Sequence, residues 1–297
     1  MQNLTNCPIC GASEFKPFIS CKDFTVSQDV FSIVQCNSCD FKFTNPRPAE
    51  NEIGKYYDSP EYISHSNATK GIINQLYQKI RKYTIGKKVS LVNALLDTSE
   101  KTILDIGCGT GEFLNACKLN GWDVKGIEPG EAARKFAIEQ YHLDIKEERS
   151  LADFSDKSFS IISMWHVLEH VHQLKERVKE LNRLLKDGGT IIIAVPNSAS
   201  KDAQKYKEYW AAYDVPRHLY HFTQKDISNL FSKEGFVVKQ TLPMIFDSYY
   251  VSLLSEKYKK PSLLNYPKAF FSGYFSNSWA KKHNQNYSSL IYILKRK

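Results

Sequence analysis

The sequence predicts an α/β fold, with a mostly parallel seven-stranded sheet that follows a small N-terminal module. From residue 101 onward, apolar segments of strand length alternate with helical segments, an order that produces a parallel sheet with helices on both faces. Ahead of that region, four of the seven cysteines form two closely spaced pairs. A chain of 297 residues can hold one such domain and one smaller module.

The cysteine pairs predict a zinc ribbon with four cysteine ligands. They are Cys7-Pro-Ile-Cys10 and Cys36-Asn-Ser-Cys39, separated by 25 residues. Each pair can direct two thiolates toward one tetrahedral Zn²⁺, which would stabilise a module too small to bury much core. A thioredoxin-like redox pair would instead open a helix in a βαβ unit, and neither pair has that setting. Cys21 lies between the pairs and is an alternative ligand.

Prolines at positions 46 and 48 mark the end of the ribbon, because proline breaks regular structure. Residues 49–97 are predicted to be helical, since apolar side chains recur there at helical spacing. We therefore divide the chain into a zinc ribbon (1–45), a helical linker or lid (46–100) and a larger domain (101–297) with an insertion at 243–287.

Seven strands and four helices are predicted in the larger domain. The strands are 101–106, 122–128, 143–147, 158–165, 189–195, 236–242 and 288–295. The helices are 111–120, 130–141, 173–186 and 223–234, with Asp187-Gly188-Gly189 expected to end the third and Gly235 the fourth. No long crossover helix is predicted between the last two strands, so the final strand is expected to be antiparallel.

A glycine-rich turn follows the first of these strands. Gly107, Gly109 and Gly111 are spaced differently from a dinucleotide fingerprint, whose third glycine would replace Glu112. The turn still brings bare backbone N–H groups and a helix N-terminus toward a polar ligand.

The segment Leu-Asp-Ile-Gly-Cys-Gly-Thr-Gly, residues 104–111, closely resembles motif I of the class I S-adenosylmethionine (SAM) methyltransferases. The resemblance implies a Rossmann-like seven-stranded fold and a SAM site that includes Asp105, the three glycines and Cys108. Glu128 lies 23 residues after Asp105, where a carboxylate can accept both ribose hydroxyls. Pro129 would then lie beside the adenine.

The segment from Phe159 to Val171 resembles the fourth strand and following turn of small-molecule methyltransferases related to the ubiquinone-pathway enzymes. Met164, Trp165 and His166 are therefore added to the expected SAM site. His166-Val-Leu-Glu-His170 also matches a zinc-protease pattern, but that pattern requires one continuous helix and here it crosses a strand end.

Candidate acid–base residues lie in the loop after the fifth predicted strand. His218 and His221 are three positions apart with Tyr220 between them, and histidine titrates near neutrality. Such a loop starts at the sheet edge where catalytic groups gather. A purely structural histidine pair remains the alternative.

The zinc ribbon, SAM core and histidine loop together resemble the deoxysugar C-methyltransferases, although this chain ends where their additional C-terminal domain would begin. We therefore expect SAM-dependent methylation of oxygen or carbon in a small acceptor, most simply a sugar or nucleotide-linked sugar. The alternatives are an RNA methyltransferase and a noncatalytic SAM-binding or zinc scaffold protein. RNA is disfavoured because the turn after the fourth strand lacks an Asn-Pro-Pro-Tyr type motif.

The net charge of +8 is concentrated in residues 256–297, where nine basic residues and nine aromatic residues accompany one acid. Such a segment suits an anionic partner, namely a phosphate-bearing acceptor, a nucleic acid or a membrane surface, and the alternative is a solvated basic face over an aromatic core. No apolar run reaches the roughly 20 residues of a membrane helix, and no secretory signal pattern opens the sequence. The expectation is a cytoplasmic protein of undetermined oligomeric state.

Overall fold

The computed structural model describes residues 1–57, 72–96 and 100–297. Its central feature is a seven-stranded sheet in the order β10-β11-β8-β7-β4-β5-β6. The strands are β4 (Thr102–Ile106), β5 (Asp123–Ile127), β6 (Ile145–Lys146), β7 (Phe159–Trp165), β8 (Leu185–Pro196), β10 (Phe236–Pro243) and β11 (Ser289–Arg296). All neighbours pair in parallel except β11, which is antiparallel to both β10 and β8. The predicted fold class and the antiparallel final strand are confirmed.

Eight α-helices lie in the described part of the chain. They are α1 (Ile72–Ala94), α2 (Glu112–Leu119), α3 (Glu131–Tyr141), α4 (Leu174–Leu184), α5 (Lys201–Tyr206), α6 (Gln224–Ser232), α7 (Asp247–Lys259) and α8 (Asn265–Ala280). Within the described residues, none is long and apolar enough to cross a membrane.

Two sequence predictions about helices need correction. The third predicted helix ends at Leu184 rather than at the glycines, because β8 already begins at Leu185. Gly188 and Gly189 lie inside this strand, where its pairing with β7 shifts register. The predicted helix at 49–97 is observed as α1 and a short 3-10 turn at Ile53–Tyr56, while 58–71 and 97–99 lie outside the described residues.

The N-terminal sheet is shared with the larger domain. β1 (Phe15–Lys22), β2 (Val30–Cys36) and β3 (Lys42–Thr44) form an antiparallel sheet, and β9 (Tyr220–His221) adds to its edge. β9 comes from the loop between β8 and α6, and its two residues pair with Lys42 and Phe43. The domain limits proposed from the sequence stay a prediction, but a segment that lies between β8 and α6 is joined to the N-terminal sheet by main-chain hydrogen bonds.

A buried arginine reinforces this junction. Arg217 is almost fully buried and donates to Asp23 of the N-terminal sheet at 3.0 Å and to Asp214 at 2.6 Å. It also donates to the carbonyl of Tyr56 at 2.9 Å. Burial alone would raise the pKa of Asp23, but hydrogen bonds from Ser27 and Arg217 hold it at about 2. Loss of one partner from such a buried ion pair leaves an uncompensated charge, so this contact strongly couples the two parts.

Candidate functional site

The glycine-rich turn lies at the carboxyl end of β4, beside the end of β5. Gly109 has φ +56°, and the space where a Cβ would be is open. Gly111, with φ +80°, caps the start of α2. Glu128 follows β5 and accepts from the N–H groups of Gly109 at 2.7 Å and Gly130 at 2.8 Å. The turn therefore presents open backbone and a carboxylate at one sheet edge, which fits a ligand with vicinal hydroxyls.

Asp105 lies beneath this turn as a nearly fully buried carboxyl group. Burial raises the pKa of Asp105 to about 7, although a hydrogen bond from Ser163 and the charge of Lys88 oppose the shift. The Ser163 hydroxyl donates to it at 2.6 Å. A buried carboxylate of this kind can bind the ammonium group of an amino-acid ligand.

Helix α1 covers the turn with two basic side chains. Arg81 pairs with Glu112 at 2.7 Å, at the first residue of α2. Lys88 places its ammonium 4.1 Å from the ring centre of Trp165, and burial lowers the pKa of this lysine. Helix α1, which lies in the predicted linker or lid, therefore contacts the same edge of the sheet as the glycine turn.

The remaining residues predicted to bind the cofactor differ in how far they are exposed to solvent. Met164 is fully buried in β7, whereas Trp165 at its end is half-buried and its indole nitrogen has no hydrogen-bond partner in the described structure. Cys108 is half-buried, and burial raises the pKa of its thiol. Pro129 is exposed beside Glu128.

His166 begins the turn after β7 in a left-handed conformation, with φ 58°. Its Nδ1 lies 3.4 Å from a Glu169 oxygen and its Nε2 lies 3.1 Å from Asp247, the first residue of α7. Burial alone would lower the pKa of His166, but the contacts with the Asp247 and Glu169 carboxylates raise it to about 10. His166 is therefore a cation that links the core of the sheet to the 243–287 insertion.

Glu169 is the centre of a buried titratable cluster. Its side chain is 0% exposed, and neither carboxylate oxygen makes a regular hydrogen bond within the described structure. One carboxylate oxygen of Glu169 and one ring nitrogen each of His170 and His218 lie within 4.8 Å of one another. Nε2 of His218 is 4.0 Å from the Glu169 carboxylate. Burial would raise the pKa of Glu169, but the contact with His166 holds it below its ordinary value.

Both imidazoles of this cluster are oriented by the backbone. His218 Nδ1 lies 2.9 Å from the carbonyl oxygen of Ala212, and His170 Nδ1 lies 3.1 Å from that of Arg217. A carbonyl oxygen only accepts hydrogen bonds, so Nδ1 of His218 must carry the proton. The neutral form of His218 then has its lone pair on Nε2. Nδ1 of His170 also lies 2.8 Å from the Tyr57 hydroxyl, which can donate to it.

His221 and Tyr220, the other predicted acid–base residues, are not brought together with this cluster. They form β9, so their side chains point to opposite faces. His221 Nε2 lies 3.1 Å from the hydroxyl of Thr44, and Tyr220 donates to the carbonyl of His172 and accepts from Arg47. Burial lowers the pKa of His221 well below its ordinary value. These contacts join the N-terminal sheet to the larger domain, and the acid–base roles of His221 and Tyr220 stay a prediction.

The four predicted zinc ligands converge at one end of the N-terminal sheet. The sulfur atoms of Cys7 and Cys39 are 3.6 Å apart, and those of Cys10 and Cys36 are 3.5 Å apart. Tetrahedral Zn–S bonds of about 2.3 Å place sulfur atoms about 3.8 Å apart, whereas a disulfide requires about 2.05 Å. The arrangement therefore fits a metal and not a pair of disulfides. Cys21 is buried in β1, outside this group.

A family model described as a methyltransferase domain matches residues 77–241, more than half of the chain. The chain belongs to this methyltransferase family. The matched region contains the glycine turn, Glu128 and the Glu169 cluster. The protein is therefore a SAM-dependent methyltransferase and not a noncatalytic scaffold protein.

Two curated relatives carry quinone-pathway names. A ubiquinone biosynthesis O-methyltransferase of Pseudomonas putida (strain W619) is 28% identical over 121 residues, which are 38% of this chain and 52% of that protein. A demethylmenaquinone methyltransferase of Chlorobaculum parvum is 25% identical over 174 residues, which are 50% of this chain and 71% of that protein. The chain thus spans about half the length of the first relative.

Two solved methyltransferase structures are similar in fold to this chain. Magnesium protoporphyrin IX methyltransferase from Synechocystis PCC 6803 is 14% identical with a TM-score of 0.54, covering 82% of this chain and 97% of that one. A SAM-dependent methyltransferase from Archaeoglobus fulgidus is 19% identical with a TM-score of 0.50, covering 76% and 100%. At these identities the likeness shows the methyltransferase fold alone.

Sequence reasoning missed several residues of this methyltransferase site. Glu169 and His170 lie in the segment that resembles the methyltransferase turn, but the sequence predicts no site role for them, and the structure shows a 3-10 turn there. Lys88 and Asp247 had no local signal, because each reaches the site from a helix that is distant in sequence. A cluster of histidine and glutamate directly after β7 could have indicated the first two.

We expect Glu128→Ala to weaken SAM binding about 10- to 150-fold, because charge-assisted hydrogen bonds to the ribose would be lost at a cost of roughly 1.5–3 kcal/mol. Glu131→Ala is a matched control, since Glu131 is an exposed carboxylate at the start of the next helix. Titration calorimetry on both variants measures the difference. Equal affinities for Glu128→Ala and the unchanged protein would remove Glu128 from the site.

Proposed function

We propose that this methyltransferase transfers the methyl group of SAM to an oxygen or carbon of a small acceptor, a sugar or nucleotide-linked sugar, with His218 as the general base. The observation that carries the proposal is the buried cluster of Glu169, His170 and His218 beside the turn that follows β7. The cluster lies at the carboxyl edge of the sheet, where acceptor sites occur in open α/β folds.

We assign the SAM site to the residues around the glycine turn. The backbone of Gly107, Gly109 and Gly111 would approach the ligand closely, with Glu128 holding the ribose. Asp105 would bind the amino group, and its ionised form is the one suited to that contact. Bound SAM supplies an electrophilic methyl group on a positively charged sulfonium. The other predicted contacts to SAM are Cys108, Pro129, Met164, Trp165 and His166.

His218 is suited to remove a proton from the acceptor. Its Nδ1 donates to the Ala212 carbonyl, which leaves Nε2 free to accept. When protonated, the imidazolium would face Glu169 at 4.0 Å and Asp214 at 3.9 Å. Two carboxylates near Nε2 therefore stabilise the cation formed by proton transfer.

Tyr57 places this cluster near the proposed ribose site. Its hydroxyl lies 2.8 Å from Nδ1 of His170. Burial raises the pKa of Tyr57, and the charges of Asp214, Glu169 and Glu128 add to the rise. We infer an acceptor site between the Glu169 cluster and the bound cofactor.

The sugar assignment rests on the ribbon and the histidine loop, whereas the named relatives favour a second candidate, a phenolic ring of the quinone type. A panel containing nucleotide-linked sugars, free sugars and catechols, followed by S-adenosylhomocysteine release, separates the two. Turnover confined to the sugars supports the proposal. Turnover confined to the catechols would replace the sugar with the phenolic acceptor.

On the best acceptor of that panel, we expect His218→Gln to lower kcat about 10²- to 10⁴-fold, because a general base typically contributes that much. SAM affinity should be unchanged, since His218 is not assigned to the cofactor. His283→Gln serves as the control, because His283 is exposed in the insertion and stacks on Trp279. Full turnover by His218→Gln would disprove its role as base.

We also propose that Cys7, Cys10, Cys36 and Cys39 bind one structural zinc ion. Burial raises the pKa of the Cys7 thiol to about 11. Metal binding would remove that proton and would join the segment before β1 to the turn between β2 and β3.

Elemental analysis of protein purified without added metal should give one zinc per chain. Cys10→Ser should lose most of it, while Cys21→Ser should retain it because Cys21 lies outside the group. A stoichiometry near zero in folded, fully reduced protein would contradict the assignment.

A further inference from the structure

Helix α8 shows the reverse of the usual amphipathic pattern. Its buried side consists of small or polar residues: Asn265, Ala269, Ser272, Gly273, Ser276, Asn277 and Ala280. Its exposed side carries five aromatic residues: Tyr266, Phe270, Phe271, Tyr274 and Phe275. Phe270 is 58% exposed and Phe275 is 64% exposed. A helix whose environment is only water and protein normally buries such rings.

Close packing of α7 against α8 fixes this orientation. A Cβ on Gly273 would lie 2.7 Å from the Tyr249 ring and 2.9 Å from its Cα, so the backbones approach where glycine stands. Ser248 on α7 donates to the carbonyl of Gly273 at 3.3 Å. A phenyl ring has no room in this interface. The aromatic face is therefore directed outward by the packing of the hairpin, and its rings contact one another and Tyr249.

The aromatic face is accompanied by positive charge. Six exposed lysines belong to the hairpin or directly follow it: Lys257, Lys259, Lys260, Lys268, Lys281 and Lys282. The two acids between residues 247 and 282 are engaged elsewhere, Asp247 with His166 and Glu256 with the Tyr206 hydroxyl. The outer surface of the hairpin is therefore both apolar and cationic.

We propose that the outer face of the α7–α8 hairpin docks on an anionic lipid surface. Aromatic rings and the exposed Leu263 and Leu264 would enter the boundary between headgroups and acyl chains, while the lysines would contact lipid phosphates. The 16 residues of α8 extend about 24 Å, less than the roughly 30 Å core of a bilayer, so the helix lies on the surface and does not span it.

Two features favour lipid over other partners for this face. Leucine offers nothing to stack on a nucleic-acid base, yet Leu263 is 88% exposed at the turn between the helices. A second copy of the chain would bring six more lysines against the first six, and like charges facing one another oppose association. The inference concerns attachment and does not depend on which acceptor is methylated.

The test is flotation of the full chain with vesicles of phosphatidylcholine, alone or mixed with phosphatidylglycerol. Binding should require the anionic lipid and weaken with added salt. Phe270→Ser/Phe271→Ser/Phe275→Ser should reduce partitioning at least about tenfold through lost apolar burial. Lys257→Gln/Lys260→Gln/Lys268→Gln should do the same for anionic vesicles.

The control is Val30→Ser/Leu119→Ser, which removes exposed apolar side chains outside the hairpin and should bind as the unchanged protein does. SAM affinity, measured on every variant, reports that the domain is folded. Absence of binding to anionic vesicles by folded protein would overturn the proposal, as would equal binding by the triple phenylalanine variant. A dimer or an RNA complex lost in that variant, without vesicle binding, would assign the face to that partner instead.

Discussion

A carboxylate that is fully removed from water needs positive charge around it, and Glu169 imposes this requirement on the centre of the molecule. The need is met by His166 in the turn after β7, while His218 brings its Nε2 to 4.0 Å of the carboxylate from a different segment of the chain. The backbone participates too, since the carbonyl of Glu169 accepts from Leu219 N at 2.8 Å. One buried acid thereby positions the turn after β7 and the loop that leads to β9.

The same charges connect the additions of this chain to the common methyltransferase sheet. His166 extends the network outward to Asp247, and so to the α7–α8 hairpin. Arg217 connects the loop next to His218 with Asp23 in the N-terminal sheet. The N-terminal sheet and the insertion therefore both contact residues that lie next to the proposed acceptor site. In this account they shape a site whose cofactor half is supplied by the glycine turn and Glu128.

Local patterns predicted most of the central sheet, because a buried parallel strand needs a run of apolar residues whatever its partners are. The glycine turn could also be predicted from the sequence, because its positive φ angles favour glycine at those positions. Strand β9 could not be predicted, because two residues form a strand only when Lys42 and Phe43 offer an edge. In that pairing His221 contacts Thr44 of the N-terminal sheet. The sequence also could not predict that the aromatic residues of α8 face outward, because aromatic residues on one side of a helix usually form its buried face.

The charge state of the histidines tests the organising role of Glu169 most directly, and needs no knowledge of the acceptor. NMR titration of histidine-labelled protein should show His166 protonated until its pKa of about 10, and burial should lower the pKa of His170 to about 4. Glu169→Gln should lower the pKa of His166, because one of its two carboxylate partners is lost. If His166 in the folded, unchanged protein instead titrates near the ordinary histidine value of about 6.5, the account of a charge network centred on Glu169 is contradicted.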